Sequence, residues 1–419
     1  MRRLLIATAL IAPALPALAQ DDRAAVLDTY ADIAEAAYGD SLTTARALQA
    51  AVDTLIAAPS QETLDAARAA WIAARVPYQQ TEVFRFGNAI VDEWEGRVNA
   101  WPLDEGLIDY VDASYGGPTD ENEYAALDVI ANTHVLIAGQ DVDATEITPA
   151  LIADTLNEAD GIETNVARGY HAIEFLLWGQ DLNGTGPGAG NRPFTDYVQG
   201  DGCTGGNCDR RAAYLSAAVT LLVADLEEMA ANWTADGAAR LAVQADPAAG
   251  IITMLTGMGS LSYGEQAGER MRLGLLLNDP EEEHDCFSDN THASHYNDAL
   301  GVQNVYAGHY TRVDGSVVEG PSLSDLVAAV DPALDAEMHG KLDVTMTAMS
   351  GIVAAAEGGM AYDQMLAADN AEGEALVMAA VDGLIDQTHT IERIVTALGV
   401  EPISFEGSDS LDNPDSVFQ

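Results

Sequence analysis

A histidine and a glutamate three positions apart are the most informative chemical groups in this chain. His171 and Glu174 lie in the largely apolar stretch 169–178. Residues i and i+3 share one face of a helix, and imidazole and carboxylate groups are both ligands of iron and zinc. An ionised carboxylate is costly to bury without a cation or a partner. The pair therefore predicts a metal site, and the structural alternative is a buried histidine hydrogen-bonded to a carboxylate one turn away.

Further ligands must come from elsewhere in the chain. The acidic segment 281–292 is either a solvated loop or a second source of ligands, and the carboxylates one turn apart near residue 267 either pair with arginines or join the site. The predicted metal ligands are His171, Glu174, Glu82, Glu265, Glu269, His284, Asp289 and His292. The residues predicted to line the site are Gly169, Arg85, Asp181 and Arg270, with both arginines orienting carboxylates.

The charge balance and the missing motifs exclude several functions. The chain has 67 acidic and 18 basic residues, a net charge of −49, which argues against nucleic acid or an anionic membrane as a partner. We interpret most of this charge as surface adaptation to salty water rather than as cation capture. The sequence has no His-Glu-x-x-His or His-x-x-Glu-His zinc-peptidase motif, no Gly-x-Ser-x-Gly elbow and no phosphate-binding glycine loop.

Helices must position these groups, because alanine and leucine dominate the composition and strand signals are few. Helix starts are predicted at Ser60, Thr148, Ser322 and Asp331, and a helix end at Gly39. A small hairpin is predicted around 310–318. The glycine-rich segment 179–206 predicts a division into an N-terminal helical bundle, 20–190, and a C-terminal bundle, 191–419. The predicted fold class is all-α.

The first residues predict export. Residues 1–19 combine a basic start, a short apolar stretch and a small-residue cleavage site, as in a secretory signal peptide. No cysteine follows that site and no later segment is apolar enough to span a bilayer, so we expect a soluble periplasmic protein without a lipid anchor. In an oxidising compartment Cys203 and Cys208 can pair, although Cys286 can also take part in a disulfide.

Several segments together resemble the imelysin-like family, in its iron-regulated protein A branch. The family hallmark Gly-x-His-x-x-Glu is matched by Gly169, His171 and Glu174, and segments 101–106, 178–181 and 286–292 are also similar. The resemblance implies two helical bundles with a shared site at their interface, export, and a role in bacterial iron uptake. The implied ligand is a metal ion or an iron chelate, with iron preferred over zinc, and the implied partner is a membrane or periplasmic uptake protein. The alternative is a zinc-dependent peptidase that uses the same pair.

Overall fold

The computed structural model describes residues 18–120 and 122–418, and this part of the chain is mainly helical. The α-helices are α1 (Leu18–Ala57), α2 (Gln61–Gln79), α3 (Ala89–Asn99), α4 (Pro149–Leu151), α5 (Gly169–Trp178), α6 (Cys208–Asn232), α7 (Ala238–Gln244), α8 (Pro247–Ser260), α9 (Leu273–Leu277), α10 (Thr291–Ala307), α11 (Leu323–Val330), α12 (Pro332–Glu357), α13 (Tyr362–Leu366), α14 (Ala371–Ala397) and α15 (Asp409–Asp412). A π-helical segment, Leu261–Arg272, joins α8 to α9 without a break, and Ile152–Leu156 is a shorter π-helical turn after α4. The predicted all-α class is confirmed.

Short 3₁₀ turns and two hairpins complete the described fold. The 3₁₀ turns are Glu82–Phe84, Glu105–Leu107, Ala159–Gly161, Phe194–Tyr197, Gly200–Gly202, Pro280–Glu282 and Pro414–Phe418. Strands β1 (His134–Ile137) and β2 (Gln140–Asp143) pair antiparallel, as do β3 (His309–Thr311) and β4 (Val317–Glu319). The second hairpin confirms the prediction around 310–318, whereas the first was not predicted.

The helix starts follow local capping chemistry. The Ser60 hydroxyl accepts the N–H of Thr63, and the Thr148 hydroxyl accepts the N–H of Leu151. The carboxylate of Asp331 and the hydroxyl of Ser322 cap their helices in the same way. Because these contacts span only two or three residues, residue types alone identify them, and all four predicted starts are confirmed.

The predicted helix end at Gly39 is wrong, because α1 continues through it to Ala57. Apolar side chains remain buried at helical spacing on both sides of the glycine, including Ala34, Ala37, Leu48 and Val52. The burial of this long face outweighs the cost of about 1 kcal/mol for one glycine inside a helix.

Two apolar cores lie within the described residues. The larger core takes side chains from α1, α2, α3, α5, α6 and α8, together with parts of α10 to α12 and the end of α14. The smaller core is built from the π-helical segment, α9, α10, α12, α13 and α14. Helices from both sides of the predicted boundary at residue 190 therefore share the larger core, and the division into 20–190 and 191–419 stays a prediction.

Helix α5 is enclosed by the larger core. It packs against α2, α3 and α6, and each of its ten residues is buried. Its first residue, Gly169, has φ +84°, and a Cβ atom there would lie 2.6 Å from the carbonyl oxygen of Val98. Only glycine combines this backbone conformation with such a close approach. The glycine therefore lets α5 begin directly against the end of α3.

The structure describes all three cysteines but little of the predicted signal peptide. Cys203 and Cys208 form a disulfide, and Cys286 is a buried free thiol. Most of the predicted signal peptide, residues 1–17, lies outside the described residues. In the part of the chain that the structure describes, we find no helix with the length and apolar character needed to cross a membrane.

Candidate metal centre

The hallmark pair is held in a fixed geometry inside the protein. The Nδ1 atom of His171 lies 3.0 Å from Oε2 of Glu174, one turn along α5. The other carboxylate oxygen, Oε1, accepts hydrogen bonds from the backbone N–H of Ser288 at 2.9 Å and from its hydroxyl at 2.6 Å. Both oxygens of Glu174 thus have partners within the protein, and the carboxylate fixes the orientation of the His171 ring.

A loop between the 3₁₀ turn Pro280–Glu282 and α10 brings two more donors to this pair. The rings of His171 and His284 have centroids 4.8 Å apart, and Oδ1 of Asp285 lies 4.0 Å from Nδ1 of His171. His171, His284 and Asp285 are all buried, and each offers one ligand atom within 4.8 Å of the others. Two imidazoles and a carboxylate are thus brought together from α5 and the loop.

Arg75, a residue of α2, fixes the position of Asp285, the carboxylate that the loop contributes to the cluster. Its Nη2 donates to Oδ1 of Asp285 at 2.7 Å, and its Nη1 donates to Oδ1 of Asn99 at 2.6 Å. The second oxygen of Asp285 accepts hydrogen bonds from Asn290, at 2.9 Å, and from the hydroxyl of Ser294. Asp285 is therefore a fully hydrogen-bonded carboxylate whose position is set by groups from α2 and α10.

Burial and neighbouring charges shift the pKa of each ionisable group in the centre. Burial lowers the pKa of His171 to about 3, and the nearby Arg75 acts in the same direction. Burial also lowers the pKa of His284 well below its ordinary value. Burial and the charge of Asp285 raise the pKa of Glu174 well above its ordinary value. Both imidazoles are consequently neutral at physiological pH, the form in which histidine binds metals.

The carboxylate of Asp285 behaves differently from that of Glu174. Burial acts to raise its pKa, but the Arg75 guanidinium, the nearby His171 and the hydrogen bonds from Ser294 and Asn290 together outweigh burial, and the pKa lies below its ordinary value. An ionised carboxylate therefore sits beside two neutral imidazoles.

The residues of the cluster fit a transition metal. The Nε2 atom of His171 is buried and has no hydrogen-bond partner among the described residues. When Nδ1–H of an imidazole donates to a carboxylate, the lone pair on Nε2 is free to bind a metal, and such carboxylate–histidine pairs commonly support metal ligands. Two histidines and one carboxylate form a ligand set used for Fe(II) and for zinc.

Comparison with known proteins identifies the family. A family model described as imelysin (Peptidase_M75) matches residues 34–391, most of the 419 residues. The chain belongs to the imelysin family. A curated relative, iron-regulated protein A of Synechococcus elongatus, is 42% identical over 57 residues, which cover 14% of this chain and 16% of that relative. The resemblance predicted from the hallmark motif is confirmed.

Solved structures show the same fold as this imelysin-family chain. One, assigned as an iron-regulated protein A precursor from Parabacteroides distasonis ATCC 8503, is 21% identical with a TM-score of 0.66 and covers 92% of this chain and 97% of that one. An imelysin-like protein from Psychrobacter arcticum 273-4 is 15% identical with a TM-score of 0.59 and covers 92% and 98%. At these identities the likeness supports the helical fold alone.

Four of the other predicted site residues form a separate ion-pair network next to the centre. Arg270 donates to Glu82 at 2.7 Å and to Glu265 at 2.7 Å. Arg85 donates to Glu265 at 3.3 Å. The orienting role predicted for both arginines thus applies to Glu82 and Glu265, not to the hallmark pair.

A cavity of about 340 Å³ connects this network to the centre. Its lining includes Arg85, Glu265, Glu269, Arg270 and His284. Glu269 is exposed to solvent. The cavity therefore borders both the ion-pair network and one residue of the centre, His284.

Three further predicted site residues lie outside the centre, namely Asp181, His292 and Asp289. Asp181 lines a second cavity, of about 470 Å³, and its Oδ1 accepts the N–H of Asn183 at 2.9 Å. Nδ1 of the half-buried His292 donates to the backbone carbonyl of Asp289 at 3.0 Å. Asp289 itself belongs to a different carboxylate cluster. The structure thus brings together His171, Glu174 and His284 and places the other predicted ligands outside this centre.

Sequence reasoning missed Asp285, Arg75 and Ser288. Asp285 directly follows a histidine that was predicted, but its acidic surroundings gave no reason to single it out. Arg75 lies 210 positions away from its carboxylate partner. One usable signal for Arg75 was present, because it is an arginine on the otherwise apolar face of an amphipathic helix.

Proposed function

We propose that this protein is exported to the periplasm and binds one transition-metal ion, with iron preferred over zinc, as part of bacterial iron uptake. The observation that carries the proposal is the buried Nε2 atom of His171, which has no hydrogen-bond partner among the described residues. His171 also offers one ligand atom within 4.8 Å of ligand atoms of His284 and Asp285. The name iron-regulated protein A, which a relative carries, supports iron.

The residues of the centre have different roles in this proposal. His171, His284 and Asp285 supply ligand atoms, and Glu174 orients the ring of His171 through its Oε2. The spacing alone also predicts Glu174 as a direct ligand, and its hydrogen bonds permit this role because each carboxylate oxygen has two lone pairs. Arg75 keeps Asp285 ionised and in place. A bound ion would supply positive charge beside Glu174, which forms no ion pair with arginine or lysine among the described residues.

Burial favours binding over peptide hydrolysis. His171 is 1% exposed and Glu174 is 0% exposed. A peptide bond must reach both an open position on the metal and a general base, and a scissile peptide is too large to enter this enclosed pair. The rival peptidase function therefore requires an opening of the loop 283–290 that metal binding does not.

The test compares variants after treatment with a chelator. We expect the wild-type chain to bind one Fe(II) or Zn(II) ion in calorimetry and metal analysis. His171→Ala removes a ligand and should abolish stoichiometric binding, while Glu174→Gln keeps the shape and should weaken binding about 10- to 100-fold. His389→Ala, on an exposed position of α14, is the matched control and should bind like wild type.

Circular dichroism checks that each variant keeps its helices. Unchanged metal affinity in folded His171→Ala and Glu174→Gln would overturn the proposed centre. Chelator-sensitive cleavage of a casein substrate that is lost in Glu174→Gln would instead establish the peptidase function.

A further inference from the structure

A second cluster of carboxylates lies beside the candidate metal centre. Glu283, Asp289 and Asp363 each offer a carboxylate oxygen within 4.8 Å of the other two. Glu283 is 1% exposed and Asp363 is 0% exposed, while Asp289 is half-buried. These residues come from two places, the loop before α10 and the first turn of α13. The cluster is therefore a product of tertiary folding rather than a local acidic run.

Four of the six carboxylate oxygens of this cluster have no hydrogen-bond partner among the described residues. Oε2 of Glu283, Oδ1 of Asp289 and both side-chain oxygens of Asp363 are buried and accept no hydrogen bond from the described residues. No arginine, lysine or histidine among the described residues forms an ion pair with any of the three. Leaving several carboxylates unpaired in one buried place is energetically costly.

Most buried carboxylates elsewhere in the described chain are matched by arginine, with Glu105 and Glu174 as the exceptions. The pairs are Asp40 with Arg312, Glu82 with Arg270, Asp109 with Arg192 and Arg211, Asp225 with Arg168, and Asp285 with Arg75. The fold thus uses its few basic residues to neutralise buried acids. The cluster of Glu283, Asp289 and Asp363 departs from this pattern, which points to a positive charge from outside the chain.

We propose that Glu283, Asp289 and Asp363 form a site for a hard divalent cation, Ca²⁺ in preference to Mg²⁺. The set contains only oxygen ligands, which hard cations prefer, whereas the neighbouring centre adds two imidazoles. Calcium accepts irregular oxygen cages more readily than magnesium, which demands near-octahedral geometry. The two sites therefore differ in the class of metal that each binds.

The two sites share one loop. Glu283 directly precedes His284 and Asp285, and Asp289 directly follows Ser288, the residue that holds Glu174. A cation bound to Glu283, Asp289 and Asp363 would attach both ends of the segment 283–289 to α13. The same segment supplies two ligands and one positioning group to the His171 centre.

The test measures the thermal stability of the chelator-treated full chain with and without about 1 mM CaCl₂, a concentration suited to exported calcium sites. We expect Ca²⁺ to raise the melting temperature of the wild-type chain by a few degrees. Asp363→Asn removes one ligand charge and should lose this response. Asp369→Asn, at an exposed position just after α13, removes the same charge and should keep it.

The comparison of Asp363→Asn with Asp369→Asn separates calcium binding at the cluster from general screening of negative charge by calcium, because both variants change the net charge equally. If Asp363→Asn does not fold, Asp289→Asn provides the same test at a half-buried position. His171→Ala should keep the full calcium response, which distinguishes this site from the transition-metal centre. Equal responses of Asp363→Asn and Asp369→Asn, or no response of the wild-type chain, would overturn the proposal.

Discussion

Arg75 and Asp285 form an ion pair of 2.7 Å between two side chains that are both almost completely buried. The pair joins α2 to the loop that carries His284, and the guanidinium also lies over the rings of Trp71, Tyr78 and Tyr170. Removing water from both charges is costly, and the pair tolerates this only because each partner has further hydrogen bonds. The pair therefore both stabilises the fold and positions a candidate metal ligand.

We expect Arg75→Met to destabilise the protein by about 3–5 kcal/mol, because it leaves Asp285 as an uncompensated buried charge. Urea unfolding followed by circular dichroism measures the effect. The control is Arg46→Met, which removes an exposed pair with Glu227 and should cost less than about 1 kcal/mol. Equal losses in the two variants would mean that the buried pair has no special role.

The sequence predicted those parts of the site that depend on local geometry. His171 and Glu174 were identifiable because helix geometry alone places residues i and i+3 on one face. The capped helix starts were predictable for the same reason. Asp285 approaches His171, and Ser288 approaches Glu174, only through tertiary folding. More than a hundred positions of the chain separate the two residues of each pair. No local pattern contains that information.

Tertiary structure overrides a local preference at Gly39 and pairs two predicted ligands with arginine. Gly39 was predicted to end a helix on its intrinsic preference, and burial of the surrounding face overrode that preference. Glu82, Glu265 and Glu269 were predicted as ligands by residue type, yet Arg270 and Arg85 pair with the first two, and the third is exposed. In a chain with this many acidic residues, pairing with arginine decides which carboxylates remain available.

Glu95 gives this fold a pH-dependent stability. Burial, together with the charge of Glu82, raises the pKa of Glu95 to about 7. A carboxyl group with a raised pKa in the folded state contributes stability that is present below its unfolded pKa and lost as the pH rises through the folded value. Between about pH 5 and 7, this one group should lower the free energy of unfolding by up to about 1.4 kcal/mol per pH unit.

Glu95→Gln should therefore flatten the decline in stability between these pH values and leave the protein more stable than wild type above pH 7. Urea unfolding at a series of pH values measures the slope. Glu93→Gln, an exposed neighbour on α3, should retain the wild-type slope. A wild-type slope in Glu95→Gln would show that the group is ionised in the folded protein throughout this range.

Gly169 is the hallmark residue whose role is steric. Its φ of +84° is strained for any side chain, and a Cβ would lie 2.6 Å from the carbonyl oxygen of Val98, which belongs to the backbone and cannot move aside cheaply. We expect Gly169→Ala to cost about 3 kcal/mol from backbone strain and overpacking combined. It should also weaken transition-metal binding, because it moves the start of α5 and with it the ring of His171.

Gly340→Ala is the control, since this glycine lies inside α12 and a Cβ there meets nothing within 4 Å. That variant should be neutral or more stable by up to about 1 kcal/mol. Chemical denaturation and metal titration of both variants test the two effects together. If Gly169→Ala were as stable as wild type and bound metal equally well, the close approach of α5 to α3 would not be what positions the His171 centre.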